Sequence, residues 1–173
     1  MPHVKGPLFS MEASGTLGGT ITFDKRGFVR QRVIPANPQT PAQGNQRQVL
    51  LAAQKALTRL NATAIAAVRA IAPTSYRWNS FLLQQVIGPG SSEFEASRAA
   101  YAAMGAEPRE GWEDQAVAMG LTAQSLPYAS DFAITPGLAL FAVSRALFRL
   151  GLNAEDGVPG PANAPAWRSW VGD

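Results

Sequence analysis

The sequence of 173 residues has no cysteine and a single histidine, His3. The absence of cysteine excludes disulfides, thiolate metal ligands and cysteine nucleophiles. A histidine that acts as a metal ligand or a general base needs neighbours that fix its tautomer, and the sequence around His3 offers none. Zinc sites are built from cysteine and histidine, so this composition nearly excludes them. We therefore expect no bound metal.

Motifs of enzyme active sites are also missing. Gly15, Gly18 and Gly19 lack the spacing and the following helix of a nucleotide-binding loop, and no nucleophile elbow of the Gly-x-Ser-x-Gly type occurs. Glu110 and Asp114 are four residues apart and would share a helix face as a pair of carboxylates. Acidic residues near a helix start are explained more simply by the helix dipole. The sequence predicts no enzyme activity, no catalytic residue and no cofactor.

Long apolar runs are absent as well. The most apolar stretch, residues 138–152, contains Arg145 and Arg149 and is shorter than the roughly 20 residues that a membrane-spanning helix needs. No secretion signal is visible, so a soluble protein without a membrane partner is expected. Hydrophobic residues make up 46% of the chain, and alanine dominates among them. Alanine-rich helices bury little area each, and such a chain often relies on neighbouring subunits.

Residues 13–34 predict a β-hairpin. Polar and apolar side chains alternate in residues 20–23, an Asp-Lys-Arg-Gly turn follows, and residues 28–34 are rich in β-branched and aromatic side chains. A lone hairpin is marginal in water, and its edge can add strands to a neighbouring subunit. The residues expected to contact a partner there are Ile21, Phe23, Phe28, Val29, Arg30 and Arg32.

Residues 41–152 predict a bundle of about four or five helices. Thr40, Pro41 and Gln43 form the pattern of a capping box with proline in the first turn, and one apolar stripe continues from there to Ile71. Ser92 with Glu95 predicts a second capping box. The further helices are expected at residues 75–83, 93–104, 108–119 and 136–150.

The expected class is therefore α+β and mainly α, with an N-terminal β-hairpin, a helical bundle and extended termini. Three parts are predicted. Residues 1–40 are a glycine-rich hairpin arm with a proline-rich linker, residues 41–152 are an alanine-rich helical domain, and residues 153–173 are an extended arm. Trp167 and Trp170 in that arm need an apolar groove, which either the same chain or a neighbouring subunit supplies.

The charges are unevenly distributed. The chain has a net charge of +3. Residues 1–92 have ten basic and two acidic residues, hence +8, whereas residues 93–173 have five basic and ten acidic residues, hence −5. Such a chain can pair with its own copies or lie between partners of opposite charge. A solvated surface without a partner explains the pattern equally well.

The N-terminal quarter of the chain contains a pattern rich in glycine and proline: Gly15-x-x-Gly18-Gly19, Phe23, Arg26-Gly27-x-Val29-Arg30 and Pro35-Ala-Asn37-Pro38-x-Thr40-x-x-Gln43-x-x-x-Arg47. This pattern resembles the N-terminal part of small structural proteins of phages and prophages. In that group, a glycine-rich hairpin precedes an Asn-Pro-x-Thr-x-x-Gln-x-x-x-Arg helix start. The resemblance implies a structural role in a virion and brings no catalytic residues with it.

Together these patterns predict a structural protein of a tailed-phage particle. It would decorate or cement the capsid as a minor component, and the alternatives are a place at the head–tail neck or in the tail. Its expected partners are other virion proteins, such as capsid or connector proteins, and its own copies. It would be found in the virion, and in the host cytoplasm during assembly. Non-specific nucleic-acid binding is a further alternative, through Lys25, Arg26, Arg30, Arg32, Arg47 and Arg59.

Overall fold

A computed structural model describes the backbone of residues 15–17, 21–23 and 29–31, and residues 40–160 with their side chains. The chain divides into two compact units, Met1–Gln39 and Thr40–Asp173. In the first unit, three strands form an antiparallel sheet in the order β1-β2-β3. They are β1 (Gly15–Leu17), β2 (Ile21–Phe23) and β3 (Val29–Gln31).

The second unit contains six α-helices within its described residues. They are α1 (Pro41–Leu57), α2 (Ala62–Ile71), α3 (Trp78–Ile87), α4 (Ser92–Ala103), α5 (Ala106–Ala118) and α6 (Pro136–Arg149). Short 3-10 turns lie at Pro89–Ser91, Ala123–Ser125, Ser130–Phe132 and Ala154–Asp156. No strand occurs between residues 40 and 160.

The predicted α+β class is therefore wrong. The body, residues 40–160, is an all-helical bundle to which no strand contributes. Residues 15–31 do not form the predicted two-stranded hairpin of long strands, but three strands of three residues each in one antiparallel sheet of the first unit. Alternation of side chains is a local signal. It indicates extended backbone but does not show whether that backbone joins the core.

Helix α6 lies at the centre of the bundle and packs against α1, α3, α4 and α5. It is buried on nearly all sides, as expected for a helix whose apolar residues are not confined to one stripe. Phe141 of α6 contacts Trp112 edge-to-face, with ring centroids 5.4 Å apart, and lies 5.8 Å from the ring of Tyr101. Trp112 and Phe141 are fully buried, and Trp78, Phe81 and Phe148 are partly buried and pack against the core.

Two predicted helix starts are confirmed. The Gln43 backbone N–H donates to Thr40 Oγ1 over 3.3 Å, and the Thr40 N–H donates to Gln43 Oε1 over 3.4 Å, which completes the capping box of α1. Thr135 Oγ1 accepts from the Leu138 N–H over 3.1 Å at the start of α6. These caps depend only on residues within one helical turn, so the sequence is sufficient to predict them.

Three other predicted boundaries are wrong. The single helix expected up to Ile71 is broken at residues 58–61, and Asn61 Oδ1 caps α2 by accepting from the Ala64 N–H over 2.8 Å. The capping box expected at Ser92 does not form, because α4 is preceded by Gly90 and Ser91, both at positive φ, and has no side-chain cap. Helix α5 begins at Ala106 rather than at Pro108.

The chain beyond α6 returns to the body. Leu152 and Val158 are buried, and the Ser144 hydroxyl lies 2.6 Å from the carbonyl oxygen of Pro159, to which it donates. Gly157 lies directly against the capped start of α2. The first eight residues of the expected extended arm, 153–160, are thus packed on the helices.

Candidate functional site

The residues predicted to bind a partner are only partly described by the structure. Ile21 and Phe23 lie in β2, Val29 and Arg30 lie in β3, and Phe23 is paired with Val29 across the two strands. Four others lie outside the described residues: Phe28, Arg32, Trp167 and Trp170. The sheet therefore brings the backbone of four of these eight residues together. Partner binding by all eight stays a prediction.

The described residues do not assemble a metal or membrane site. Between residues 40 and 160 and in the three strands, no group of three or more His, Cys, Asp or Glu side chains could hold a metal ion. No helix in the same residues is long and apolar enough to cross a bilayer. The carboxylates of Glu110 and Asp114 lie on the exposed face of α5 and not in a cleft.

The most densely bonded polar group is the Glu113 carboxylate, which joins α4, α5 and α6. Its Oε1 accepts hydrogen bonds from the Tyr101 hydroxyl over 2.7 Å and from the Thr135 hydroxyl over 2.5 Å. Its Oε2 accepts from the Gly137 N–H over 2.9 Å. A carboxylate beside the first N–H groups of a helix is also stabilised by the helix dipole. We call these four residues the Glu113 cluster.

The lack of a side chain at Gly137 makes room for the cluster, and a larger residue there would displace the Glu113 carboxylate or the Tyr101 hydroxyl. A Cβ there would lie 2.6 Å from Glu113 Oε1 and 2.7 Å from the Tyr101 hydroxyl oxygen, which is closer than real Cβ contacts. The absent side chain lets the carboxylate approach the start of α6. The sequence alone does not single out Glu113, because its partners lie in α4 and at the start of α6, 12 to 24 residues away along the chain.

The electrostatics of the Glu113 cluster favour a structural role. Burial, the hydrogen bond to Glu113 and the charge of Glu113 together raise the pKa of Tyr101 well above its usual value of 10.0. Tyr101 therefore stays protonated, and its hydroxyl donates a hydrogen bond to a carboxylate that also accepts from two other donors. Three of the roughly four acceptor positions of that carboxylate are thereby occupied. The cluster holds three helices together.

The helical body is divided by charge. Residues 41–92 contain no acidic residue and five basic ones: Arg47, Lys55, Arg59, Arg69 and Arg77. Residues 93–160 contain nine acidic residues and four arginines, hence a net charge of −5. Residues 41–92 thus have a net charge of +5, whereas the second half of the body is acidic.

Some of the acidic residues are neutralised within the body. Glu93 pairs with Arg149, and Glu95 Oε2 lies 3.0 Å from Arg98 Nη1. Asn45 of α1 donates to Glu95 over 3.2 Å and accepts from Arg98, also over 3.2 Å. These pairs fix α4 against α1 and α6.

The acids of α5 are not neutralised in this way. Glu107, Glu110, Asp114 and Val117 follow one another in steps of three and four residues, so they form one exposed stripe along the helix. We call it the acidic stripe. Its three acids make no ion pair within residues 40–160, and Val117 is 58% exposed. Just beyond the C-terminal end of α5, the guanidinium of Arg59 lies near Gly120.

A cleft of about 600 Å³ opens between α1, α2 and α3. Its apolar lining includes Leu57 of α1, Ile65 of α2, and Trp78 and Leu83 of α3, and Gln54 and Asn79 are among its polar residues. No charged side chain lines it. We call it the Trp78 cleft. Sequence reasoning assigned Trp78 to the core and did not predict a cleft.

Comparison with known proteins gives no relative of this chain. No family model matches it, and neither a curated protein nor a solved structure is significantly similar to it.

Proposed function

We propose that this chain is a structural protein of a tailed-phage particle that joins neighbouring subunits, as a capsid decoration or minor capsid protein. The observation that carries the proposal is the charge division of the helical body, with an exposed acidic stripe on α5 that forms no ion pair within residues 40–160, and only basic charges among residues 41–92. The N-terminal resemblance supplies the phage context.

The charge division supports contact between copies of the chain. The acidic stripe of one copy is complementary to the exposed Lys55, Arg69 and Arg77 of the next. Different surfaces of the two copies would then meet, so the contact is head-to-tail and builds a ring or an open array. Opposite charges also steer the copies into the correct orientation. Val117 would add apolar area at the C-terminal end of the stripe.

Self-association can be tested in solution. Reversing two charges of the stripe, Glu110→Lys with Asp114→Lys, should abolish concentration-dependent association in sedimentation velocity. Raising the salt concentration should weaken association of the unchanged chain, because exposed charges are screened. The matched control is Asp131→Lys with Glu155→Lys, which changes the net charge equally at exposed positions outside the stripe. Equal association of both double variants would contradict the head-to-tail contact.

The place in the particle is decided by copy number. Quantitative mass spectrometry of purified particles gives the number of copies relative to the major shell protein. Hundreds of copies would support capsid decoration, whereas about a dozen or fewer would indicate the head–tail neck or the tail, since symmetry sets these numbers. Absence of the chain from intact particles would refute the virion role.

Nucleic-acid binding is a second candidate, favoured by the five basic side chains among residues 41–92, a stretch that contains no acidic residue. Binding of this kind loses affinity steeply as salt increases, because phosphate contacts release counterions. Fluorescence anisotropy with a labelled duplex over a salt series would measure that slope. No binding near physiological salt would eliminate this candidate.

A further inference from the structure

The Trp78 cleft is an apolar surface that the described residues leave open. Ile65, Trp78 and Leu83 are only half-buried there, although they are of the type that usually fills a core. The cleft is larger than one side chain needs, and no ionisable group lines it. These features fit an uncharged aromatic side chain whose N–H finds an acceptor, and Gln54 and Asn79 both supply amide oxygens.

The same chain has a segment of this chemistry. Residues 161–173 contain Trp167 and Trp170, and nearly all of their other residues are small or proline. Two tryptophans in such a segment represent a large apolar area that is costly to leave in water. The segment has one basic and one acidic residue, so its net charge is zero and matches an uncharged cleft.

The length of the segment is sufficient to reach the cleft. A Cβ on Gly157 would lie 3.0 Å from the backbone nitrogen of Ala64, which places Gly157 within about 10 Å of Ile65. Gly160 is at most about 11 Å further along the chain. Seven extended residues from Gly160 to Trp167 span up to about 23 Å, and the ten to Trp170 span about 33 Å. Both distances cover the gap.

We propose that residues 161–173 occupy the Trp78 cleft of their own chain, with a tryptophan packed against Trp78. A tether this short gives an effective concentration in the millimolar range, so the segment outcompetes a neighbouring copy in solution. The proposal is independent of a virion role. It assigns an occupant to a surface of the helical unit whatever the protein assembles with.

A pair of introduced cysteines tests this arrangement in the full chain, which has no other cysteine to interfere. Asn79→Cys on the cleft rim is combined with Ser169→Cys, between the two tryptophans. At low protein concentration and under mild oxidation by glutathione disulfide, this pair should close a disulfide within one chain. The control is Ser130→Cys with Ser169→Cys, because exposed Ser130 lies near the opposite end of α1. We expect the cleft pair to form at least about tenfold faster.

A disulfide within one chain and a disulfide between two chains are distinguished by the mass and the gel mobility of the product. A disulfide between two chains would overturn the proposal in favour of a second copy as the occupant. Equal rates for the cleft pair and the control pair would overturn it altogether. Replacing Trp167 and Trp170 with alanine in the cleft pair should reduce its rate to that of the control. An unchanged rate would mean that the tryptophans do not hold the segment in place, and circular dichroism verifies that each variant is folded.

Discussion

Removal of the Glu113 carboxylate tests whether the contact between α4, α5 and the start of α6 stabilises the helical unit. In Glu113→Ala, the Tyr101 and Thr135 hydroxyls and the Gly137 N–H all lose a charged acceptor. A hydrogen bond to a charged group contributes about 1.5–3 kcal/mol. The Tyr101 hydroxyl keeps the Arg109 carbonyl at 3.2 Å as an acceptor, and Thr135 is exposed to water. The three contributions therefore do not add in full.

We expect Glu113→Ala to lower the free energy of unfolding by about 2–4 kcal/mol, because at least one donor stays buried without a comparable partner. For a chain of this size, that loss corresponds to a decrease in Tm of roughly 5–15 °C. Far-UV circular dichroism follows the helices during thermal and urea unfolding. The stability of Glu113→Gln should lie between those of the unchanged chain and Glu113→Ala, since the glutamine amide keeps one acceptor oxygen.

The adjacent residue supplies the control. Asp114 is exposed on the same helix and has no hydrogen-bond partner within the described residues, so Asp114→Ala should change stability by less than about 0.5 kcal/mol. If Glu113→Ala and Asp114→Ala unfold at the same urea concentration, the Glu113 cluster does not stabilise the bundle and the reasoning is refuted.

Three further predictions concern single side chains. Because the pKa of Tyr101 is raised, the folded protein retains a proton that the unfolded chain releases near pH 10. The contribution of Tyr101 to stability should therefore be full below pH 10 and fall as the pH rises further. Tyr101→Phe should make urea unfolding less sensitive to pH between about pH 10 and 12. Thr40→Ala removes the cap of α1 and should cost about 1 kcal/mol in the same assay, and Thr40→Ser should restore most of it. Ser144→Ala leaves the buried Pro159 carbonyl without its donor and should cost about 1–3 kcal/mol. Hydrogen exchange should then become faster in residues 152–160, and unchanged exchange there would contradict the role of Ser144.

Local signals in the sequence were sufficient to predict where several helices begin. Thr40 with Pro41 and Thr135 with Pro136 are caps whose donor and acceptor lie within one turn, and both are present in the structure. The sequence does not predict the break between α1 and α2, because Leu60 within the turn and Ala64 after it are both buried and continue the apolar stripe. Periodicity reports which residues face the core, and it does not report whether the backbone between them is continuous.

The interaction surfaces could be predicted only in part. The charge division is visible in the sequence, but its concentration in one unpaired stripe on α5 depends on which acids find partners elsewhere. Glu93 and Glu95 form ion pairs with Arg149 and Arg98, whereas the three acids of the stripe form none within residues 40–160. The Glu113 cluster and the Trp78 cleft each need three elements in place. No spacing along the chain encodes them.

The central position of α6 has a consequence for synthesis of the protein on the ribosome. The partner shared by α1, α3, α4 and α5 is the last α-helix of the body to be translated. About ninety residues separate the end of α1 from the end of α6, which takes on the order of ten seconds at common elongation rates. During that interval, the nascent chain must keep four unpaired apolar stripes from aggregating. The stripe of α1 presents little apolar area, because most of its buried residues are alanine, whereas Leu82, Phe94 and Trp112 of the later helices present large apolar side chains until α6 is made.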